Sequence, residues 1–183
     1  HVPMYVPQKW FDMHPLDEIQ LPQVLDDDRA DVPKYGRDLT WGVTPPPHSW
    51  IVEHGEWKHA VQAYLACISF VDHCVGRILD AFEARSDADD TVIVFFSDHG
   101  FHLGEKQYWA KRSLWDRGTK VPLMVSTPGQ DKGQRCTKPA GLIDVYNTLV
   151  DLCNLPENKR LEGQSLTPLL RNPKTEWERP ALT

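Results

Sequence analysis

The sequence lacks several features that would place it quickly in a class of proteins. Its longest apolar runs are far too short to span a bilayer. It has no run of lysine or arginine and a formal net charge of -6, so nucleic acid is not expected as a partner. The four cysteines form no C-x-x-C pair, which disfavours a zinc knuckle or a thioredoxin-type site. The chain begins at His1 with neither an initiator methionine nor a signal segment, and we expect it to be a piece of a longer protein.

Proline and tryptophan are abundant instead, with 15 and 7 residues in a chain of 183. More than half of the proline lies in the first fifty residues, where it interrupts every periodic pattern. Residues 1–54 are therefore predicted to form an irregular arm that packs on a folded body. The acidic run Asp26–Asp28 within it is interpreted as a solvated turn, with a metal site as the alternative. The aromatic anchors of the arm would be Trp10, Phe11, Tyr35, Trp41 and Trp50.

The rest of the chain carries clear periodic signals. Apolar residues recur in steps of four and three from Trp57 to Phe82, which predicts an amphipathic helix with its stripe in the core. The continuous apolar run 91–96 predicts a strand buried on both faces, as in a parallel sheet. Further elements are expected as a short strand over 121–126, a helix over 143–153, and a helical turn within 161–170. The apolar face of that helix would comprise Ile143, Tyr146, Leu149 and Val150.

This order of elements predicts an α/β fold, with a mostly parallel sheet flanked by helices. Only two strong strands are visible, whereas an open parallel sheet usually has four or more. We therefore expect the remaining strands to lie outside this chain, so that the fold is present only as a fragment.

Chemically useful side chains follow the first predicted strand at once. Asp98, His99 and Gly100 come directly after the run 91–96, and ligands of open α/β sheets bind beyond the carboxyl ends of the strands. Asp98 offers a hard oxygen ligand for a divalent cation, and His99 offers a ring nitrogen. Gly100 would let the chain turn sharply and would remove bulk beside a ligand. A capped strand end without a metal is the structural alternative.

The loop that follows combines cations with aromatic residues. Lys106, Lys111 and Arg112 come soon after Asp98, and Trp109 lies close to Lys111 in the sequence. Arginine presents a fork to an oxyanion and lysine presents a point charge. The loop is therefore predicted to bind an anionic substrate beside a metal, with an ordinary surface lysine as the alternative for Lys111.

Several stretches occur in a fixed order along the chain, and together they resemble the sulfatase family of the alkaline-phosphatase superfamily. Within that family the branch of iduronate-2-sulfatase and its bacterial relatives is the most similar. The resemblance covers nearly the whole chain and implies an alkaline-phosphatase-like fold. It is carried by His1-Val2-Pro3, DMHPLD at 12–17, the helix 64–79, SDHGFHLGE at 97–105, WAK at 109–111, VPL at 121–123, DVYNTL at 144–149 and LEGQSL at 161–166.

The resemblance also implies roles for individual residues. Asp98 and His99 would be ligands of a divalent cation, with calcium as the expected metal. Lys111 would contact the sulfate group, and His1 would line the sulfate site as a second catalytic residue. The resemblance also implies a substrate contact at His102, whereas the contacts predicted at Lys106 and Arg112 rest on the positive charge of the loop.

Part of the expected catalytic apparatus is missing. Sulfatases of this kind use a formylglycine made from cysteine or serine in a C/S-x-P-x-R motif, and none of the four cysteines has proline at the third position. The family's paired metal-binding aspartates precede the histidine matched by His1, so Asp26–Asp28 cannot replace them. We therefore expect residues 55–183 to be the central and later part of a sulfatase catalytic domain, incomplete at both ends and inactive alone. The formylglycine would lie upstream, and the remainder of the sulfatase chain would be needed to complete the fold.

The resemblance implies that the parent protein hydrolyses sulfate esters, on a sulfated sugar or glycosaminoglycan. Two alternatives stay open. The first is a zinc-dependent phosphodiesterase or phosphatase of the same superfamily, since imidazole at His99 suits zinc better than calcium. The second is a non-catalytic relative that binds sulfated glycans through Lys106, Lys111 and Arg112. The family implies a secreted, periplasmic or lysosome-like location.

Overall fold

A computed structural model describes residues 3–38, 47–130 and 132–182. Helices are more extensive than strands in this part of the chain, and none of the described helices is both long enough and apolar enough to cross a membrane. The helices are α1 (Gln8–Phe11), α2 (Lys34–Asp38), α3 (His48–Glu53), α4 (Trp57–Glu83), α5 (Asp116–Thr119), α6 (Asp144–Leu152) and α7 (Thr167–Arg171). The strands are β1 (Ile93–Phe96), β2 (His102–Leu103), β3 (Trp109–Ala110) and β4 (Leu123–Ser126).

The chain forms two compact units. The first contains the described residues up to Arg85 together with His99–Lys120. The second contains Ser86–Asp98 together with the described residues from Val121 onward. Neither unit begins or ends at the predicted boundary, residue 54. The division into an arm and a catalytic body stays a prediction.

Helix α4 is the main scaffold of the first unit, and it lies where the periodicity placed it. The arm packs along it through the edge of Trp10 against Phe70, with ring centroids 5.9 Å apart. His14 adds a 2.8 Å hydrogen bond between its Nε2 and the Ser69 hydroxyl. Of the predicted aromatic anchors, Trp10 is buried whereas Tyr35 and Trp50 are exposed; Trp41 lies outside the described residues.

The apolar stripe of α4 is buried only toward its start. Val61 is buried, but Ile68, Val71 and Ile78 are exposed, so the prediction that the whole stripe is core is wrong. A helix of this length extends about 40 Å, and the arm covers only part of it. The core that does form in this unit combines Ile19, Ile51, Val61 and Trp109.

The second unit contains the strand pair β1 and β4. The strands are antiparallel, with Ile93 opposite Ser126 and Phe96 opposite Leu123. Phe95 and Phe96 are 39% and 48% exposed, so the expectation of a parallel neighbour and of burial on both faces is not met within the described residues. A strand with a single hydrogen-bonded partner has one edge and parts of its faces open to solvent.

Helix α6 buries two polar side chains, and its predicted apolar face is only partly covered. Ile143 and Tyr146 are 54% and 57% exposed, whereas Asp144 and Thr148 are buried. Leu149 and Val150, on the same predicted face, are half-buried. Both buried side chains hold the segment 161–166, because the Asp144 carboxylate accepts the Gln164 N–H at 2.9 Å and the Thr148 hydroxyl accepts the Leu166 N–H at 2.9 Å. Two of the stretches that carry the family resemblance therefore contact each other.

Candidate active site

The chain after His99 makes a close turn against its own backbone in the first unit. The Gly100 N–H donates to the carbonyl of Gly118 at 2.9 Å. A Cβ at Gly100 would lie 2.1 Å from the carbonyl oxygen of Arg117, far inside contact distance. Gly100 therefore makes room for the Arg117 backbone, and its expected role beside a ligand stays a prediction.

His99 and Lys111 come together at this turn. Nδ1 of His99 lies 2.7 Å from the Gly100 carbonyl, and Nε2 lies 2.7 Å from Nζ of Lys111. A carbonyl only accepts, so Nδ1 carries the ring proton and the lone pair of Nε2 accepts from the lysine ammonium. An ammonium has three donors, so Lys111 can hold an oxyanion while it donates to His99.

Asp98 ends the segment of the second unit that contains β1 and precedes His99 directly in the chain. Its exposed carboxylate is a hard oxygen donor and suits a divalent cation. His99 suits such a cation less well here, because its one unprotonated nitrogen faces Lys111. Within the described ranges no group of three or more His, Cys, Asp or Glu side chains could hold a metal. Asp98 therefore fits as one ligand, and the described residues do not complete a metal site.

Lys106 is held by the acidic run of the arm. Its Nζ donates to the Asp28 carboxylate at 2.8 Å and to the Asp28 carbonyl at 2.7 Å. The Lys106 ammonium holds the pKa of the Asp28 carboxyl below its usual value. Asp26 and Asp27 are exposed, so the solvated-turn interpretation fits them and fails at Asp28, because a lysine distant in sequence pairs with it.

His102 is wholly buried, although the resemblance implies a substrate contact there. Its Nδ1 lies 3.2 Å from the Glu105 carbonyl, and its Nε2 lies 2.8 Å from the Ser113 hydroxyl. Burial lowers its pKa, although the hydrogen bond to Glu105 opposes the shift. A substrate contact would require the ring to leave both partners. Arg112 is exposed, and His1 lies outside the described residues.

Glu105 braces the loop, a role that the sequence did not reveal. One carboxylate oxygen accepts the Leu103 N–H at 2.8 Å, and the other lies 3.3 Å from Nε of Arg117. Glu105 lies within the SDHGFHLGE stretch, so the family resemblance pointed to the residue. The motif does not indicate which groups its carboxylate contacts.

An aromatic cluster backs the same loop. The Trp109 indole N–H donates to Nδ1 of His48 at 3.0 Å, and the Trp57 indole N–H donates to the Leu103 carbonyl at 2.8 Å. Gly104, at φ 127°, fits between them: a Cβ there would lie 2.8 Å from the His48 ring and 2.9 Å from Trp57. The loop that carries Lys111 is therefore fixed from behind by α3 and α4.

Comparison with known proteins identifies the family. A family model described as Sulfatase matches residues 1–155. The chain belongs to the sulfatase family. It is 44% identical to a sulfatase of Formosa agariphila over 171 residues. That alignment covers 93% of this chain and 34% of the Formosa protein. It is 32% identical to iduronate 2-sulfatase of Mus musculus over an alignment of 197 positions. That alignment covers 85% of this chain and 34% of the mouse protein.

The fold comparison agrees with membership of the sulfatase family. The phosphonate monoester hydrolase SpPMH from Silicibacter pomeroyi superposes with a TM-score of 0.82 at 26% identity, over 97% of this chain and 37% of that one. The predicted α/β, alkaline-phosphatase-like fold class is confirmed, as is the resemblance to iduronate-2-sulfatase and bacterial sulfatases. The chain spans about a third of the length of these relatives.

Proposed function

We propose that the protein to which this chain belongs hydrolyses sulfate esters. The observation that carries the proposal is the Lys111 ammonium held on His99, in a chain whose family match spans 155 residues. A cation fixed at the end of a braced loop stabilises negative charge that develops on a transferring group, and fixed charges cost little reorganisation during the reaction. Sulfate esters develop such charge on their oxygens as they are cleaved.

The substrate class we propose is a sulfated sugar or glycosaminoglycan. Support comes from the relative in Mus musculus, which is an iduronate 2-sulfatase, and from the position of the cations. The net charge of -6 disfavours the binding of a polyanion over most of the protein surface. Lys111 and the exposed Arg112, however, lie together on one loop. A single sulfate group needs only that local positive charge.

The chain's own residues would bind and orient the sulfate. Lys111 would donate to a sulfate oxygen while the His99 lone pair fixes the direction of the ammonium. Asp98 would hold a divalent cation, which supplies Lewis-acid stabilisation of the same oxygens when bound, and His99 would join it as a ligand only if Lys111 leaves Nε2. Nε2 carries one lone pair, so this atom cannot hold a cation and accept from Lys111 together. We propose calcium as the metal, because Asp98 is a hard oxygen ligand.

The nucleophile would come from outside these residues. No cysteine of the chain starts a C/S-x-P-x-R motif, and Ser126, which has Pro128 at the third position, has Gln130 in place of the arginine. A formylglycine of the parent protein would supply the attacking oxygen. We therefore propose that the 183 residues alone do not release sulfate.

A second candidate is phosphonate or phosphate ester hydrolysis with zinc and a serine or threonine nucleophile. The observation that favours it is the close superposition on a phosphonate monoester hydrolase. Histidine at position 99 suits zinc. Sulfate and phosphate groups share tetrahedral shape, so the fold does not separate the two reactions. A glycan-binding role through Lys106 is less well supported, because Asp28 already neutralises that lysine.

The test compares substrates and metals on the 183-residue chain and on a longer protein that contains it. Both are assayed with an aryl sulfate, an aryl phosphate and an aryl phosphonate monoester, and bound metal is quantified. Sulfate release by the longer protein, with calcium bound, is the expected result. Preferential phosphonate cleavage with zinc would establish the second candidate, and tight sulfated-glycan binding without turnover would establish a non-catalytic relative. Sulfate release by the 183 residues alone would overturn the proposed need for an outside nucleophile.

A further inference from the structure

The loop between β2 and β3 has an unusual backbone. Lys106 and Gln107 in this loop, and Ala110 in the strand β3 that follows it, have positive φ values of 57°, 52° and 76°. None is a glycine, and side chains with a Cβ rarely adopt this conformation. Among the described non-glycine residues only Asn154 shares it. Such strain persists only where the surroundings fix the conformation.

The surroundings that fix it come from the acidic run of the arm. Besides the two bonds from its Nζ, Lys106 donates its backbone N–H to the Asp28 carboxylate at 2.8 Å. The neighbouring Gln107 donates from its side-chain amide to the Asp26 carbonyl at 2.6 Å, and Arg29 donates to the Gln107 amide oxygen at 3.3 Å. Each of the two left-handed residues 106 and 107 is thus held by residues 26–29. The Asp28 and Lys106 side chains are 20% and 29% exposed, so solvent screens this ion pair less than a surface pair.

The turn at residues 104–108, fixed in this way, determines the position of Lys111 after β3. The Gly104 N–H donates to the Tyr108 carbonyl at 3.1 Å and closes the turn. Strand β3 then pairs with β2 so that Ala110 lies opposite His102 and Trp109 opposite Leu103. Lys111 follows immediately and meets His99. In a strand pair a slip of one residue turns every side chain to the other face, so loss of the turn would move Lys111 away from His99.

We propose that Asp28 and Lys106 form a clamp that positions Lys111 on His99. Asp28 is then a positioning residue of the candidate active site, although it lies in a segment of the arm that sequence reasoning assigned to solvent. The clamp also gives Lys106 a role other than substrate binding. The inference rests on the proposed function, in which Lys111 contacts the sulfate, but its test uses no turnover.

The experiment uses a longer protein that contains this chain, with four variants that test the clamp and H99Q for assignment. D28N removes the charge of the clamp, and K106M removes the ammonium while it keeps the backbone bond to Asp28. D27N is the matched control, since Asp27 is the exposed neighbour in the same acidic run. K106R is the conservative variant that retains the charge. Far-UV circular dichroism identifies any variant that fails to fold; if D28N fails, K106M and K106R carry the test.

Two readouts separate positioning from general stability. The first is amide hydrogen exchange, in which residues 105–112 should exchange about tenfold faster or more in D28N and K106M while α4 is unchanged. The second is the 15N chemical shift of His99 Nε2, followed by long-range 1H–15N correlations with chelator present and assigned against H99Q. The Gly100 carbonyl keeps the proton on Nδ1 in every variant, so the wild-type Nε2 resonance should be shifted by the bond from Lys111, and the two loss variants should lose that shift. D27N and K106R should resemble the wild type.

Two results would overturn the clamp. One is wild-type exchange in residues 105–112 of both loss variants. The other is faster exchange with an unchanged 15N shift of His99 Nε2, since the pair would then hold the loop without positioning Lys111. Neither readout depends on sulfatase activity, so an inactive protein with the expected spectra would contradict the proposed function alone.

Discussion

Lys111 donates from its ammonium to Nε2 of His99 across 2.7 Å. The other ring nitrogen is occupied by the Gly100 carbonyl, so the direction of this bond is fixed. The pair joins the two side chains that the sequence assigned separately to metal binding and to sulfate contact. A cation held in this way is the part of the chain most directly suited to stabilising a sulfate oxygen.

Replacement of Lys111 is expected to impair catalysis in an active protein that contains this chain. K111M should lower kcat/KM for an aryl sulfate by about 100-fold or more, the usual loss when one donor to a developing oxyanion is removed. K111R should retain part of the activity, because it keeps the charge but changes its geometry. K120M, at an exposed lysine of the same unit, is the control and should be near wild type. An unchanged kcat/KM in K111M would contradict the role.

Alanine at two glycines is expected to have opposite effects on stability. G104A should lower the free energy of unfolding by about 2 kcal/mol or more, because φ is 127° and the new Cβ would lie 2.8 Å from the His48 ring. G76A should raise it by about 0.5–1 kcal/mol, since Gly76 lies inside α4 with nothing within 4 Å of the new methyl group. Urea titration measures both. Equal effects in the two variants would contradict the packing described for Gly104.

The contact between α6 and the LEGQSL stretch predicts intolerance at Gly163. A Cβ there would lie 2.1 Å from the carbonyl oxygen of Ile143, so G163A should destabilise the second unit by about 2 kcal/mol or more. G133A, in the same unit with open space around the new methyl group, should change stability by less than about 0.5 kcal/mol. Thermal unfolding followed by hydrogen exchange in α6 would show the difference. Wild-type protection of α6 in G163A would contradict the close approach.

Stability is expected to fall in mild acid. Burial lowers the pKa of His102 and of His48 in the folded state, and the Glu105 carboxylate partly opposes both shifts. An unfolded histidine has a pKa of about 6.5, so below that pH the unfolded chain binds more protons than the folded one. The free energy of unfolding should therefore decrease from pH 7.5 to pH 5.5, by at most about 1.4 kcal/mol per pH unit for each such proton.

Variants assign this dependence to a residue. H102Q should be less stable than the wild type at pH 7.5, because it disturbs the contacts to Glu105 and Ser113, and its stability should depend less on pH. H54Q, at an exposed histidine, should keep the wild-type slope. Parallel pH profiles for H102Q and the wild type would show that His102 does not carry the effect.

Elements with a strong local period were predictable. Helix α4 begins at Trp57 as expected and ends at Glu83, one residue beyond the last apolar position. The apolar residues of a helix did not predict which of its faces is buried, however. Helix α6 buries Asp144 and Thr148 because their side chains accept backbone N–H groups of the segment 161–166. Burial of polar side chains is favourable when they find such partners, and a hydropathy pattern contains no information about those partners.

The same distinction applies to the candidate site. The stretches around Asp98, His99 and Lys111, with others along the chain, pointed to the family and to the candidate charged residues, because a motif records the type and spacing of side chains. Lys106 looked equally suited to an anion, and only the folded chain shows that Asp28, 78 residues away, holds it. The sequence by itself determined the sulfatase family, the main helices and the loop that contains the candidate site. The tertiary structure decided which cation meets His99 and which is neutralised, because ion pairs and hydrogen bonds between distant segments depend on how the backbone brings them together.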